Sequence, residues 1–366
     1  MPEKEIAFLT TVYFVFFILT SVFGYMLNSL MLRFVHTLGI RNKSETVIRW
    51  SQASKPALGG ITFYLIFLLS FTCYGMLFQQ GVLFKKELLG LLAACSLAFL
   101  MGLSDDAYNT KPLLKLSSQI LCGLILIFSG TYISLSGILV VDYAITILWV
   151  VAVMNSINML DNMDGIATIV SIFIIVESLL TIYLYNYNSH IHVLLLVGIL
   201  AALVSFLFYN WFPSKMFMGD TGSQFLGIFL STMGIYYFWN NKGLGEGEIP
   251  SKQIIITMLA FIIPIIDTAT VSINRLLRGI PPWVGGRDHT THCLSYLGLS
   301  DRKVALLYTA LCMLSFVQIY VIIRFIHNWN YRYVAIFGGY FLILFAILYV
   351  VTRLKSVKKR LDEKAI

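Results

Sequence analysis

The stretch Asn155-Ser-Ile-Asn-Met-Leu-Asp-Asn-Met-Asp-Gly165 packs two carboxylates and three side-chain amides into eleven residues between two long apolar runs. The chain around it is 58% hydrophobic and only 12% charged, about half the charge of a typical globular domain. Runs of about 20 apolar residues recur along the whole length, each long enough to cross a bilayer as a helix. The fold class is therefore all-α, a polytopic helical membrane protein. An outer-membrane barrel would show short alternating segments, which are absent. In such a chain an ionisable group near the membrane is a functional candidate by default, because leaving it unpaired in hydrocarbon is costly. The competing reading of Asn155–Gly165 is a solvated turn between helices.

Outward from this knot, the apolar runs predict about eleven transmembrane helices near 6–32, 57–79, 88–104, 114–134, 138–159, 164–186, 191–212, 222–239, 253–274, 304–327 and 333–352. The chain reads as one catalytic membrane domain, 1–352, followed by a basic tail, 353–366. No cleavage site follows the first run, which reads as a retained helix. Odd-numbered connections and the tail carry eighteen Lys and Arg; even-numbered connections and the N-terminus carry six. Basic loops stay inside, so the expected orientation is N-terminus outside and C-terminus cytoplasmic. The same asymmetry accounts for a net charge of +8 without nucleic acid, through anionic lipid and substrate. Four of the five cysteines lie inside apolar runs with no Cys-x-x-Cys spacing, which argues against a zinc site or a disulfide framework.

This orientation has a consequence independent of how it was counted. Asp105 and Asp106, then Asp161 and Asp164, then Asp220, then Asp288, His289 and His292 all fall on the cytoplasmic side. Four polar clusters on one face argue for an active site. Adjacent carboxylates at Asp105-Asp106 suit a divalent cation or a base, with Lys111 and Lys115 as phosphate partners and helix capping as the alternative. Asn158, Asp161 and Asp164 share i, i+3 spacing, which aligns them on one face if the chain stays helical. A calcium loop starting at Asp161 fails, because Met163 and Ile172 stand where ligands are required. In Met218-Gly-Asp-Thr-Gly-Ser223, Asp220 opens a helix whose N–H groups would favour an anion, or it is a plain N-cap. The loop Arg287-Asp-His-Thr-Thr-His292 has too few metal donors for zinc and suits hydrogen bonding to a diphosphate. Lys55-Pro-Ala-Leu-Gly-Gly60 permits close approach of a ligand or of another helix at Gly59 and Gly60.

The order of these motifs resembles the polyprenyl-phosphate N-acetylhexosamine-1-phosphate transferases over about Lys55–Leu294. The resemblance implies transfer of a sugar-1-phosphate from a UDP-sugar to a polyprenyl phosphate, with release of UMP, using Mg²⁺ or Mn²⁺ in its place. It further implies Asp220 as metal ligand and Asp105, Asp106 and Lys115 as the catalytic group beside the diphosphate and lipid phosphate. Asn155, Asn158, Asp161, Asp164, Arg287, His289, His292, Gly59 and Gly60 would bind substrate. Expected partners are the UDP-sugar, the polyprenyl phosphate and membrane lipids, with no nucleic acid; a homodimer stays open. The expected location is the bacterial inner membrane with a cytoplasmic active site, at the initiating step of an envelope polysaccharide. Two departures stand out: Asn162 replaces the usual Gly, and the usual His-x-His-His reads His289-Thr-Thr-His292. The second points to a GlcNAc-type sugar rather than MurNAc-pentapeptide. The rival from another class is an ion-coupled transporter, which would place its acids near the midplane and show repeats; neither is visible.

Overall fold

In the computed structural model, residues 3–34, 55–78, 85–185, 189–241 and 250–354 are described. The basic tail beyond Leu354 and most of the first connection, with Arg41, Lys43 and Arg49, lie outside them. The described residues form thirteen α-helices and one short π-helix. In order these are α1 (Glu3–Arg33), α2 (Gly59–Phe78), α3 (Lys86–Tyr108), α4 (Pro112–Phe128), α5 (Leu139–Leu160), α6 (Ile166–Leu184) and α7 (His190–Asn210). Then follow α8 (Gly219–Gly234), which runs into a π-helical turn (Ile235–Trp239), α9 (Ser251–Ala260), α10 (Ile262–Leu276), α11 (Thr290–Tyr296), α12 (Asp301–Phe325) and α13 (Tyr331–Arg353).

Every predicted apolar run contains a helix, yet the runs are not equivalent. Among the described residues, eight helices are long and apolar enough to cross a membrane. The run at 253–274 is broken: α9 and α10 meet at a 79° bend. Pro264 accounts for the break, since its ring excludes the carbonyl four residues earlier and it donates no hydrogen bond. That carbonyl belongs to Ala260, where α9 ends. The run at 114–134 yields the 17-residue α4, and α8 is only 16 residues before its π turn. The seven-residue α11 was not anticipated.

Helix α8 is the hub: Thr221 through Gly234 are all buried, and α2, α3 and α5 pack around it. Close approach requires small residues. A Cβ on Gly60 would strike the backbone of Thr221 and Gly222 on α8, so Gly60 is fixed by helix packing. Gly59 likewise faces the Phe206 ring. Outward-facing positions are large and apolar, among them Phe14, Phe128, Leu148 and Phe208. Polar side chains instead collect at one end of the bundle.

Candidate active site

That end holds a cavity of about 950 Å³. Its lining includes Asp105, Asp106, Lys115, Asn155, Asn158, Asp161, Asp164, Asp220, His289 and His292. The four clusters, scattered over nearly two hundred residues of sequence, therefore meet. Gly59, Gly60 and Arg287 are not among the lining residues. The expectation that the two glycines contact substrate is corrected to helix packing, for the steric reason above. The Arg287 backbone carbonyl accepts from the Tyr296 hydroxyl at 3.3 Å.

The charged centre is assembled by four helix ends. Lys115, one turn into α4, donates to Asp220 Oδ1 at 2.7 Å, to Asp105 Oδ2 at 3.1 Å and to Asn158 Oδ1 at 3.3 Å. Asn158 on α5 donates to the same Asp220 oxygen and, at 2.9 Å, to Ser223. One cation thus bridges two carboxylates that would otherwise repel each other at the cavity wall.

Beneath this layer lies a layer of amides. Gln119 and Asn155 exchange bonds of 3.2 and 2.8 Å, and Gln119 also donates to Gln224 at 3.1 Å. Each of α4, α5 and α8 contributes one residue to each layer: Lys115 with Gln119, Asn158 with Asn155, Asp220 with Gln224. These pairs are three or four residues apart and so share a helix face. Sequence reasoning missed Gln119 and Gln224, although their spacing from Lys115 and Asp220 carried the signal.

The adjacent aspartates do different things. Asp105 Oδ1 accepts from Thr110 N at 2.8 Å and Thr110 Oγ1 at 2.6 Å, leaving Oδ2 for Lys115. Asp106 turns the other way, accepting from Asp220 N at 3.0 Å and from Thr221 N and Oγ1 at 2.9 and 2.6 Å. It caps α8 from a different helix. The α8 N-terminus, read from sequence as an anion site, therefore has two of its N–H groups already taken. Gly219 adopts φ +73, and a Cβ there would collide with the Asp106 carboxylate.

The motif 55–60 holds this loop in place. Phe217 N donates to Pro56 O at 2.9 Å, Gly59 N to Phe217 O at 3.2 Å and Gly60 N to Met218 O at 3.1 Å. Lys55 lies 3.6 Å from Asp164, whose carboxylate accepts from Ser214 N and Oγ at 2.8 and 2.7 Å. Asp164 thus lines the cavity while fastening the segment that precedes Asp220.

The opposite wall belongs to α10 and the loop before α11. Arg275 grips Asp288 in a bidentate pair, Nε to Oδ2 at 3.0 Å and Nη2 to Oδ1 at 2.7 Å, and also donates to the Pro282 carbonyl at 2.7 Å. Burial alone would raise the Asp288 carboxyl, but the hydrogen bonds and charge of Arg275 hold it below the ordinary range. Asp267, although near Arg275 and Arg278 in sequence, pairs with His289 Nδ1 at 2.8 Å. Its other oxygen takes Thr290 N at 2.9 Å and Thr290 Oγ1 at 2.5 Å. A carboxylate on Nδ1 fixes the ring's orientation, and His289 lines the cavity. His292 differs. It is 2% exposed, and burial, followed by the nearby His289, pushes its imidazole down to about 3. His292 is a neutral wall residue at neutral pH.

Comparison with known proteins adds to this geometry. The glycosyl transferase family 4 model matches residues 88–238, the span that carries Asp105, Asp106, Lys115, Asn158 and Asp220. A Bacillus subtilis protein named a probable undecaprenyl-phosphate N-acetylglucosaminyl 1-phosphate transferase is 26% identical over 260 residues, 69% of this chain and 68% of the relative. A Mycobacterium leprae decaprenyl-phosphate N-acetylglucosaminephosphotransferase is 25% identical over 275 residues, 69% of each chain. A Streptococcus uberis phospho-N-acetylmuramoyl-pentapeptide-transferase is 32% identical over 207 residues, 50% of this chain and 60% of the relative. The matched span holds the whole charged centre, so the likeness to glycosyl transferase family 4 and to these relatives falls on the residues that line the cavity.

Proposed function

We propose that the protein transfers a sugar-1-phosphate, GlcNAc-1-phosphate first, from a UDP-sugar to a polyprenyl phosphate. A phosphate oxygen of the lipid forms a bond to the sugar-bearing phosphorus of the diphosphate; the bridging P–O bond breaks and UMP leaves. The observation that carries this reading is the bridge of Lys115 between Asp105 and Asp220 at the wall of a cavity of about 950 Å³. The names of the relatives, which act on polyprenyl phosphates and an N-acetylated sugar, support the substrate classes. The basic loops support a cytoplasmic active site in a bacterial inner membrane.

Two anions must approach each other in this reaction, so catalysis is chiefly positioning and charge neutralisation. Lys115 is the cation at the centre, able to exchange a carboxylate partner for a diphosphate oxygen. Asp105 and Asn158 hold it meanwhile. Asp106 keeps Asp220 in place by binding the α8 backbone. His289, oriented by Asp267, presents its remaining ring nitrogen as a hydrogen-bonding partner for substrate.

Mg²⁺ fits the donor set, with Asp220 as ligand. Asp220 lines the cavity with one oxygen engaged by Lys115 and Asn158, and among the described residues no hydrogen bond is made to Oδ2. No cluster of three His, Cys, Asp or Glu suits a protein-only cage among the described residues. Mg²⁺ commonly takes one or two carboxylates and completes its shell with water and substrate phosphates. When bound, it supplies charge neutralisation at the diphosphate.

A second reading, transfer from UDP-MurNAc-pentapeptide, is favoured by the 32% identity to the streptococcal enzyme. The deciding experiment measures UMP release by purified protein with undecaprenyl phosphate and Mg²⁺, offered UDP-GlcNAc or UDP-MurNAc-pentapeptide. Release from UDP-GlcNAc alone supports the first reading and from the pentapeptide alone the second. No release from either, or from other UDP-acetamido sugars, overturns the transferase assignment.

A further inference from the structure

The two walls of the cavity come from different parts of the chain, so something must set their separation. The hydrogen bonds of Arg275, Asp288, Asp267, His289 and Thr290 tie the loop before α11 to α10, and Thr290 Oγ1 lies 2.6 Å from the Tyr308 hydroxyl on α12. Helix α10 itself meets α5 through Thr268 Oγ1, which donates to Ser156 at 2.9 Å. None of these fixes where the start of α11 sits relative to the turn that opens the facing wall. Asn162 does. Thr291 Oγ1 donates to Asn162 Oδ1 at 2.7 Å, and His292 Nε2 lies 3.4 Å from the Asn162 carbonyl oxygen. Asn162 in turn donates to Met159 O at 2.7 Å, which anchors its amide to the end of α5. Thr291 is fully buried.

We propose that Asn162 and Thr291 form a latch, a positioning pair that fixes the gap between the two walls and thereby sets the affinity for the sugar nucleotide. The latch rests on the transferase reading above. In it Thr291 donates and Asn162 accepts, at 2.7 Å against 3.4 Å for the His292 contact. Removing the hydroxyl alone leaves the part-buried Asn162 acceptor without its bond, whereas removing both partners relieves that cost.

The test uses the full chain in detergent or lipid, with UMP release measured for Thr291→Val, Thr291→Ser, Asn162→Ala and the Thr291→Val/Asn162→Ala double variant. Thr291→Val is expected to raise KM for the UDP-sugar about ten-fold with kcat within about three-fold, and Thr291→Ser to keep KM within about two-fold. The double variant is expected to be no worse than the poorer single one, because the two residues act as a unit. Hydrogen exchange without substrate should rise together at 161–165 and 287–292 in Thr291→Val. Additive effects in the double variant, an equal loss in Thr291→Ser and Thr291→Val, or exchange confined to one wall would overturn the latch. If Thr291→Val does not fold, Thr291→Ser and Asn162→Ala carry the same contrast. If wild type releases no UMP from any UDP-sugar, the transferase reading fails, and hydrogen exchange still decides whether the walls are latched.

Discussion

The two walls of the cavity use the same residue types for opposite ends. On one, Lys115, Asp105 and Asp220 are part-exposed, with side-chain exposures of 18%, 11% and 30%, and their bonds can be exchanged for those of a ligand. On the other, Arg275, Asp267 and His289 are 5%, 1% and 6% exposed, and Asp288, at 12%, is gripped by two nitrogens of the Arg275 fork. A part-exposed ion pair contributes little to stability and is free to be re-partnered. A buried one is costly to break, because a lone charge is left without water. A nearly buried partner held by fixed bonds, rather than residue type, therefore marks the scaffolding pairs in this molecule.

The largest expected effect lies on the open wall. Asp220→Ala should lower UMP release by about four orders of magnitude, equivalent to about 5 kcal/mol, while the thermal midpoint moves by only a few degrees. Lys115→Ala should behave alike. An inactive variant that also unfolds early would erase the contrast between the walls.

Arg275→Ala on the closed wall should do the reverse. Stranding Asp288 is expected to cost about 4 kcal/mol of stability, read as a fall in the unfolding midpoint. The Asp288 carboxyl, held low by Arg275, contributes stability above its ordinary titration range near pH 4 that is lost as pH falls below it. Acid should therefore narrow the gap between wild type and Arg275→Ala. A constant gap down to pH 3 would show that the pair is not the staple described here.

A finer cut separates two neighbours. Asp106→Asn replaces an acceptor of three hydrogen bonds with a group that is half donor, at an expected cost of about 2 kcal/mol in stability. Asp105 also accepts three bonds, but from Thr110 in its own connection and from the exchangeable Lys115, so Asp105→Asn should cost less stability than Asp106→Asn while slowing turnover about ten-fold or more. Equal behaviour of the two variants would contradict the division of labour.

This pair also marks the limit of reading the sequence. Asp105-Asp106 was legible as an acidic motif, but its members were indistinguishable because what separates them is α8, more than a hundred residues away. The apolar runs and the convergence of four clusters were legible, since hydropathy and charge asymmetry encode them; the special status of Lys115 and Asp220 came from the resemblance of the motifs. The break at Phe261 was not taken from the apolar pattern, which runs unbroken across it; Pro264 was the available signal. The partner of Asp267 was not legible, because Arg275 and Arg278 are nearer in sequence, whereas His289 reaches it only through the loop that returns to α10. The glycines of the 55–60 motif were ambiguous between ligand and helix, and only the neighbouring backbone of α8 decides.

The smallest expected effect concerns His292, the one histidine whose role the two-wall picture reverses. Read as a diphosphate ligand it would be charged near neutral pH; buried beside His289 it stays neutral down to about pH 3. In the unfolded chain an imidazole takes up its proton near pH 6.5. Between these values the unfolded state binds more protons, so stability rises with pH and falls as the solution is acidified below about 6.5, by about 1 kcal/mol per pH unit. His292→Asn, which cannot titrate, should lose that slope. Its stability should therefore approach or cross that of wild type between pH 6.5 and 5, whatever the offset at pH 7.5. Denaturation midpoints of the two proteins at three pH values suffice to check this. Parallel lines would mean that His292 takes up its proton in the folded protein as it does in the unfolded chain, and belongs with Lys115 on the exchangeable side of the comparison.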